Sequence, residues 1–241
     1  MPAVLLVIEE VLVPGLQLER WQWAWRPQGP VIPERRYRAA VRRALHRWDR
    51  RRWEALTGGP PLGAADGHRH LLRETLDGLA GHPLPEPERE VIVDRFLRCP
   101  LPRPAAPEVP TALSEWRGLG FRLGAVGRVP GPSGPEALAR AGLADAFDHV
   151  AGTAPDSPAL PEKEAYRAAV RGLGVPPRET TFVGTLLWSE VRAARRAGLA
   201  AVLLDRTDLA PRVEELRLPR LTELRPKAAP GEDRPTATDG P

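Results

Sequence analysis

Few residues of this 241-residue chain stand in patterns that could do chemistry, and the first is the acid pair Glu9-Glu10, which closes the apolar run 3–8 (Ala-Val-Leu-Leu-Val-Ile). Two neighbouring carboxylates suit acid/base work or a hard cation. Successive residues of a strand point to opposite faces, so the pair shares a substrate only if the chain turns there. A second candidate is Gly127-Arg-Val-Pro-Gly-Pro-Ser-Gly134, a basic, glycine-rich stretch after a strand-like run. Its backbone N–H groups suit an anion, but no Walker or dinucleotide pattern accompanies it, and an ordinary loop has the same composition. Trp21, Trp23 and Trp25 alternate as side chains of an extended segment do, all facing one way. They either seal a hinge or form an aromatic wall for a ligand or partner. His68, His70 and His82 lack the helical i, i+4 pairing and the cysteines of a zinc site.

Composition limits the alternatives. Cys99 is the only cysteine, which excludes an intrachain disulfide and a cysteine-rich zinc cage and fits a reducing cytoplasm. The apolar run 3–8 is broken by Glu9 and Glu10 and has no basic segment before it, so it is not expected to be a secretory signal. No stretch is long enough to span a bilayer as a helix. A formal charge of +4 and a pI near 9.9 raise the question of nucleic acid. The charge concentrates at 35–52, as Arg35, Arg36, Arg38, Arg42, Arg43, Arg47, Arg50, Arg51 and Arg52. The same stretch holds an apolar face at helical spacing, Tyr37, Val41, Ala44, Leu45 and Trp48, so the arginines read as that helix's solvated side. Nucleic acid is therefore not the expected partner.

The elements that must position these residues alternate. Short apolar runs at 3–8, 121–126, 181–183 and 200–204 read as strands buried on both faces. Between them lie helical patterns at 111–119, 135–141, 162–173 and 188–197, so the chain predicts βαβ units and a mostly parallel, Rossmann-like sheet covered on both sides. Residues 15–99 break the rhythm. They hold helical patterns at 34–54, 67–80 and 86–98, no buried strand, and a closing Pro-rich connector from Pro100. The expected domains are a core of 1–14 and 100–225 carrying an all-helical insert, 15–99, after the first strand. A tail from Pro226, without apolar periodicity, is expected to be disordered.

Gly172-Leu-Gly-Val-Pro-Pro-Arg-Glu-Thr-Thr-Phe-Val-Gly184, followed by Val191-Arg-Ala-Ala-Arg-Arg-Ala-Gly198 and a final strand ending in Asp205-Arg206, resembles the C-terminal half of the haloacid-dehalogenase-like hydrolases. Gly118-Leu-Gly-Phe-Arg-Leu-Gly-Ala-Val126 resembles the strand carrying that family's second motif, and Leu143-Ala-Asp-Ala-Phe-Asp-His149 resembles its "GLadyFd" step. Residues 3–13 align with its opening "vlFDlDGTLv", and the helical insert sits where many members place a cap. The resemblance covers residues 3–206 in the family's order.

The resemblance implies a first-strand aspartate nucleophile, an acid/base aspartate two residues on, and a phosphate-binding threonine two further. It also implies a second-motif Ser/Thr, a third-motif lysine, and fourth-motif acids that share Mg²⁺ in phosphotransferase members. Transferred by position, these become Val7, Glu9, Val11, Gly127 (followed by Arg128), Leu160 (with Lys163 three residues away), and Thr185 and Glu190. A valine has no lone pair, so the covalent route is closed at Val7. The expectation is a family member without its catalysis, acting by binding a protein partner, a second copy of itself or a small anionic ligand between core and cap. No cofactor is expected for it. The alternative is a hydrolase that reuses the cleft with Glu9, Glu10, Arg128, Thr185 and Glu190; Mg²⁺ belongs to that reading alone.

Overall fold

The structure, a computed structural model, describes residues 1–14, 16–27, 29, 31–60, 64–128, 133–154, 157, 160–206 and 217–226. Residues 129–132 of the glycine-rich stretch, and 227–241 of the expected tail, lie outside the described residues.

Six strands form one parallel sheet: β1 (Ala3–Val7), β2 (Arg122–Val126), β3 (His149–Ala151), β4 (Thr180–Gly184), β5 (Ala200–Leu204) and β6 (Arg217–Leu218). Their spatial order is β3-β2-β1-β4-β5-β6. The two strands with every residue buried, β1 and β4, lie side by side at the centre, as continuous apolar runs demand. Sequence patterns find the four central strands and miss the edge strands β3 and β6, whose three and two residues are too short for periodicity. Ile8, predicted as strand, lies just past the end of β1.

Between β1 and β2 the chain is helical: α1 (Leu18–Trp25), α2 (Glu34–Leu56), α3 (Ala64–Ala80), α4 (Glu86–Leu97) and α5 (Val109–Gly118). The rest follows as α6 (Ser133–Arg140), α7 (Lys163–Leu173), a π-helical segment (Leu187–Arg192) and α8 (Ala193–Arg196). Helix α7 shows how the sequence sets these elements. It buries Ala165, Tyr166, Ala169, Val170 and Leu173 on one face and stops at Gly174, whose φ of 64° suits a residue without a side chain.

Two apolar clusters result. One is centred on the sheet. The other gathers Trp21, Val41, Trp48, Leu72, Leu76, Ile92 and Phe96 from α1 to α4. The predicted apolar face of α2 is the one turned inward, and Arg35, Arg36, Arg38, Arg42, Arg43, Arg47, Arg50 and Arg51 are exposed. Arg52 departs from that face and is buried.

The tryptophan segment corrects an expectation. Trp21, Trp23 and Trp25 lie in α1, not in an extended strand, so residues two apart turn to different faces. Residues 18–25 contain no glycine, proline or β-branched residue, and a helix lets Trp21 bury completely against Phe96, ring centroids 4.2 Å apart. Trp23 is half-buried under Arg95. No helix among the described residues is long and apolar enough to cross a membrane.

Candidate functional site

Parallel strands bring their carboxyl ends to one edge of a sheet, where the following loops meet. The three central strands are in register there, Val7 opposite Val126 and Leu6 opposite Val183. The residues just beyond them, Glu9, Arg128 and Thr185, are therefore neighbours although far apart in sequence.

Arg128 organises the group. Its Nε donates to Glu190 Oε1 at 2.5 Å, and its Nη2 to Glu190 Oε2 at 3.3 Å and to Thr185 Oγ1 at 2.6 Å. Its backbone N–H donates to Glu9 Oε2 at 2.9 Å. Glu190 is completely buried and also accepts the backbone N–H groups of Thr185 and Leu186, at 2.9 and 3.1 Å. Gly184 makes room for it: a Cβ there would lie 2.8 Å from Glu190 Oε2. The Tyr166 hydroxyl donates to the Ser189 and Glu190 carbonyls and holds the π-helical segment in place.

Electrostatics follow from this packing. Burial alone would lower the basicity of Arg128, but the charge and hydrogen bonds of Glu190 outweigh it and hold its pKa above the ordinary value. Burial raises the pKa of Glu9, opposed by the Arg128 charge and N–H. A buried ion pair of this kind is costly to break from one side, about 3–5 kcal/mol, because a lone buried charge remains.

Helix α2 closes over the group from the other side. Trp48 lies near two guanidiniums, with Arg52 4.6 Å and Arg128 5.9 Å from its ring. Arg52 donates to the carbonyl oxygen of Leu160, the position that corresponds to the third-motif lysine. A helix outside the sheet thus brings a buried positive charge to the Leu160 carbonyl. Asp49, one turn before Trp53, accepts the N–H groups of Trp188 and Ser189 at 3.0 and 2.7 Å. Its pKa is raised by burial, against those two hydrogen bonds.

The structure thus gathers four of the predicted residues, Glu9, Arg128, Thr185 and Glu190. Val7, Val11 and Leu160 are buried apolar side chains at 0, 0 and 2% exposure, and Gly127 contributes no side chain. The chain does turn at Glu10, but its carboxylate has a different partner from that of Glu9: its φ is 67°, it falls where the family pattern has glycine, and its Oε1 accepts the Leu16 N–H at 3.0 Å. Trp21 belongs to the helical cluster, and Trp23 and Trp25 pack against that cluster. Arg52, Asp49, Trp48 and Tyr166 were not singled out for the site by sequence. Only a polar residue recurring on the apolar face of α2 hinted at Asp49 and Arg52.

A cavity of about 260 Å³ lies to one side of this group, over β4 and β5. Glu10, Asp49, Thr185, Asp205 and Arg206 line it, but Val7, Glu9, Arg128 and Glu190 do not.

The donor set does not fit the family's Mg²⁺. Oxygen ligands on offer are Glu9, Thr185 and Glu190, and each already faces Arg128, whose buried positive charge opposes a second cation. Among the described residues no three His, Cys, Asp or Glu side chains are grouped to hold a metal ion.

A six-stranded parallel sheet with flanking helices, five of them between its first two strands in the chain, defines a Rossmann-like α/β protein. The chain belongs to the haloacid dehalogenase-like hydrolase family, whose model matches residues 19–198. It is 33% identical over 112 residues to a glyceraldehyde 3-phosphate phosphatase of Methanopyrus kandleri, covering 45% of this chain and 48% of that one. It is 33% identical over 136 residues to a phosphoserine phosphatase of Thermus thermophilus, covering 56% and 53%. The chain thus spans about half the length of these curated relatives. Among solved structures, a dehalogenase determined with an intermediate complex superposes with a TM-score of 0.63 at 18% identity, covering 92% of this chain and 95% of that one. L-2-haloacid dehalogenase from Xanthobacter autotrophicus gives 0.60 at 20% identity, with the same coverage. At these identities the likeness is one of fold.

Proposed function

We propose that this family member does not hydrolyse phosphate esters or haloacids by the covalent aspartate route and acts instead by binding. In this reading residues 1–14 and 100–225 form the core and 15–99 the cap, and the binding surface lies between them. The observation that carries it is Arg128: its guanidinium holds Thr185 and Glu190 and its backbone N–H holds Glu9, the polar groups a hydrolase of this layout would turn toward its substrate and metal. Beside it, Val7 offers an isopropyl group at the attacking position. Loss of one general group costs about 10²- to 10⁴-fold, and here nucleophile, lysine and metal acid are lost together.

A second reading has a specific observation in its favour. The relatives at 33% identity are named as phosphatases, which supports a hydrolase that works with rearranged residues. Its candidate groups are Glu9 as base and Arg128 and Thr185 as contacts for a small anionic substrate.

One assay separates them. The full chain is incubated with p-nitrophenyl phosphate and Mg²⁺, and with 2-chloropropionate, beside a heat-inactivated control. The binding reading expects product no faster than the control. Metal-dependent turnover that disappears in Glu9→Gln would sink it and establish the hydrolase.

A further inference from the structure

We infer that the cavity over β4 and β5 is a binding site for a small uncharged molecule, a compact apolar body carrying one carbonyl or hydroxyl group. The inference takes from the proposed function only that the chain works by binding; the cavity itself is the same on either reading.

The walls set the size and character of the ligand. Leu16, Val41, Leu45, Leu187 and Leu204 supply apolar surface from the segment before α1, from α2, and from the chain just beyond β4 and at the end of β5. At about 30 Å³ for each water-sized unit, 260 Å³ holds a body of roughly nine non-hydrogen atoms. Apolar walls with a few polar groups are the usual make-up of a small-molecule site.

The charged residues on those walls are already engaged within the protein. All three nitrogens of the Arg206 guanidinium donate internally, Nε to Glu108 at 2.5 Å and Nη1 and Nη2 to the carbonyls of Glu10 and Val11, both at 2.7 Å. Asp205 lies 2.8 Å from Arg217. Asp49, only 4% exposed, receives one backbone N–H on each oxygen, from Ser189 and Trp188. Glu10 accepts the Leu16 N–H at 3.0 Å, and both it and Asp205 have further partners. Glu19 and Arg42 complete the charged lining; both are exposed, so water solvates them, and their signs are opposite.

Neither sign of ligand charge therefore finds a counter-ion here. An anion would meet the carboxylates of Glu10, Asp49 and Asp205, with every Arg206 nitrogen already donating. A cation would meet carboxylates whose oxygens already hold internal donors. Either would give up its hydration without compensation, at a cost of several kcal/mol. An apolar body instead gains about 25 cal/mol for each Å² it buries.

Uncharged polar groups set the head of the ligand. Thr185 Oγ1 accepts from Arg128 Nη2 at 2.6 Å and keeps its own proton to give. The Gln17 side chain, half-buried at the N-cap of α1, makes no capping hydrogen bond and carries two N–H donors. The Tyr37 hydroxyl gives its proton to the Leu16 carbonyl. The cavity thus offers donors at Thr185 and Gln17, which a carbonyl or hydroxyl oxygen accepts. Arg128, with Trp48 5.9 Å away, occupies the neighbouring part of the sheet edge, and Thr185 is the residue that cluster and cavity share.

The test uses the isotope-labelled full chain at pH 7.5 and three probes that share a cyclohexane ring: cyclohexanone, cyclohexylamine and cyclohexanecarboxylate, each titrated while amide chemical shifts are followed. Cyclohexanone is expected to saturate one site with a Kd of about 1 mM or tighter. Both ions should bind at least about tenfold more weakly. Leu45→Trp, which fills the cavity from a half-buried position, should weaken the ketone at least about tenfold, and Gln17→Leu, which removes a donor and leaves the apolar walls intact, should weaken it severalfold. Failure of the ketone to saturate by about 10 mM, an ion binding within about tenfold of it, or full ketone affinity in Leu45→Trp would each overturn the assignment. Should Leu45→Trp not fold, unchanged affinity in Gln17→Leu overturns it instead. Because ester and haloacid hydrolysis are assayed separately, a negative titration sinks this site without touching the proposed function, and observed turnover does the reverse.

Discussion

Asp49, midway along α2, receives the backbone N–H groups of Trp188 and Ser189, residues 139 and 140 positions later in the chain. The contact ties the helical insert to the segment that presents Glu190. Around it, Trp53 and Trp188 lie 6.1 Å apart, and Arg50 and Arg192 flank the Trp188 ring at 4.9 and 3.9 Å. The insert is thus fastened over the sheet edge by a buried acceptor and a rim of aromatic and guanidinium groups.

That fastening has a measurable strength. Asp49→Ala leaves the buried Ser189 N–H without an acceptor, at about 1–3 kcal/mol, and the part-buried Trp188 N–H at less. Asp49→Asn keeps one oxygen and should lose about half as much. Urea unfolding of the three proteins checks the order; an alanine variant as stable as the parent would show that the contact contributes nothing.

The Arg128–Glu190 pair predicts a non-additive result. Arg128→Met alone strands a buried carboxylate and should cost about 3–5 kcal/mol. Adding Glu190→Gln removes the stranded charge while keeping an acceptor for Thr185 and Leu186, so the double variant should be more stable than Arg128→Met. If the second change instead lowers stability further, the pair does not act as a charge-compensated unit.

Glu9 predicts the direction of a pH effect. Its folded pKa lies above the unfolded value of 4.5 because burial outweighs the Arg128 charge and N–H. The folded state then holds the proton more tightly, so Glu9 adds stability at low pH that is lost as pH rises through its folded pKa. Glu9→Gln, which can still accept the Arg128 N–H, should flatten the fall in Tm above pH 4.5 and be at least as stable as the parent at pH 7. Asp49, shifted the same way, leaves part of the slope in place. A steeper slope in the glutamine variant would contradict the assignment.

Gly184 predicts a steric one. An alanine methyl would sit 2.8 Å from Glu190 Oε2 and 2.8 Å from the Phe182 ring edge. Neither can retreat without breaking the Arg128 pair or disturbing the sheet, so Gly184→Ala should cost about 1–3 kcal/mol. Thermal unfolding that is unchanged would mean the carboxylate moves freely.

Much of this protein is written locally. The short runs at 3–8, 121–126, 181–183 and 200–204 are mostly apolar, and the helices between them carry a 3.6-residue pattern; these signals depend only on neighbours in the chain. The identity of Val7 is likewise a sequence fact, and no packing can give an isopropyl group a lone pair. Where local signals are weak or conflicting, they misled: three tryptophans spaced by two suggested an extended chain, and the burial of Trp21 against Phe96 made it a helix.

What only the tertiary structure decided is which distant residues meet. Placing β1 between β2 and β4 sets Arg128 against Glu190 and Thr185, and lays Asp49 and Arg52 of α2 over them. Nothing local marks an arginine among nine on one helix as the buried one, because its partner is a carbonyl 108 residues away. The cavity is less local still: it is bounded by four separate stretches of chain, and space between surfaces has no signature in any one of them.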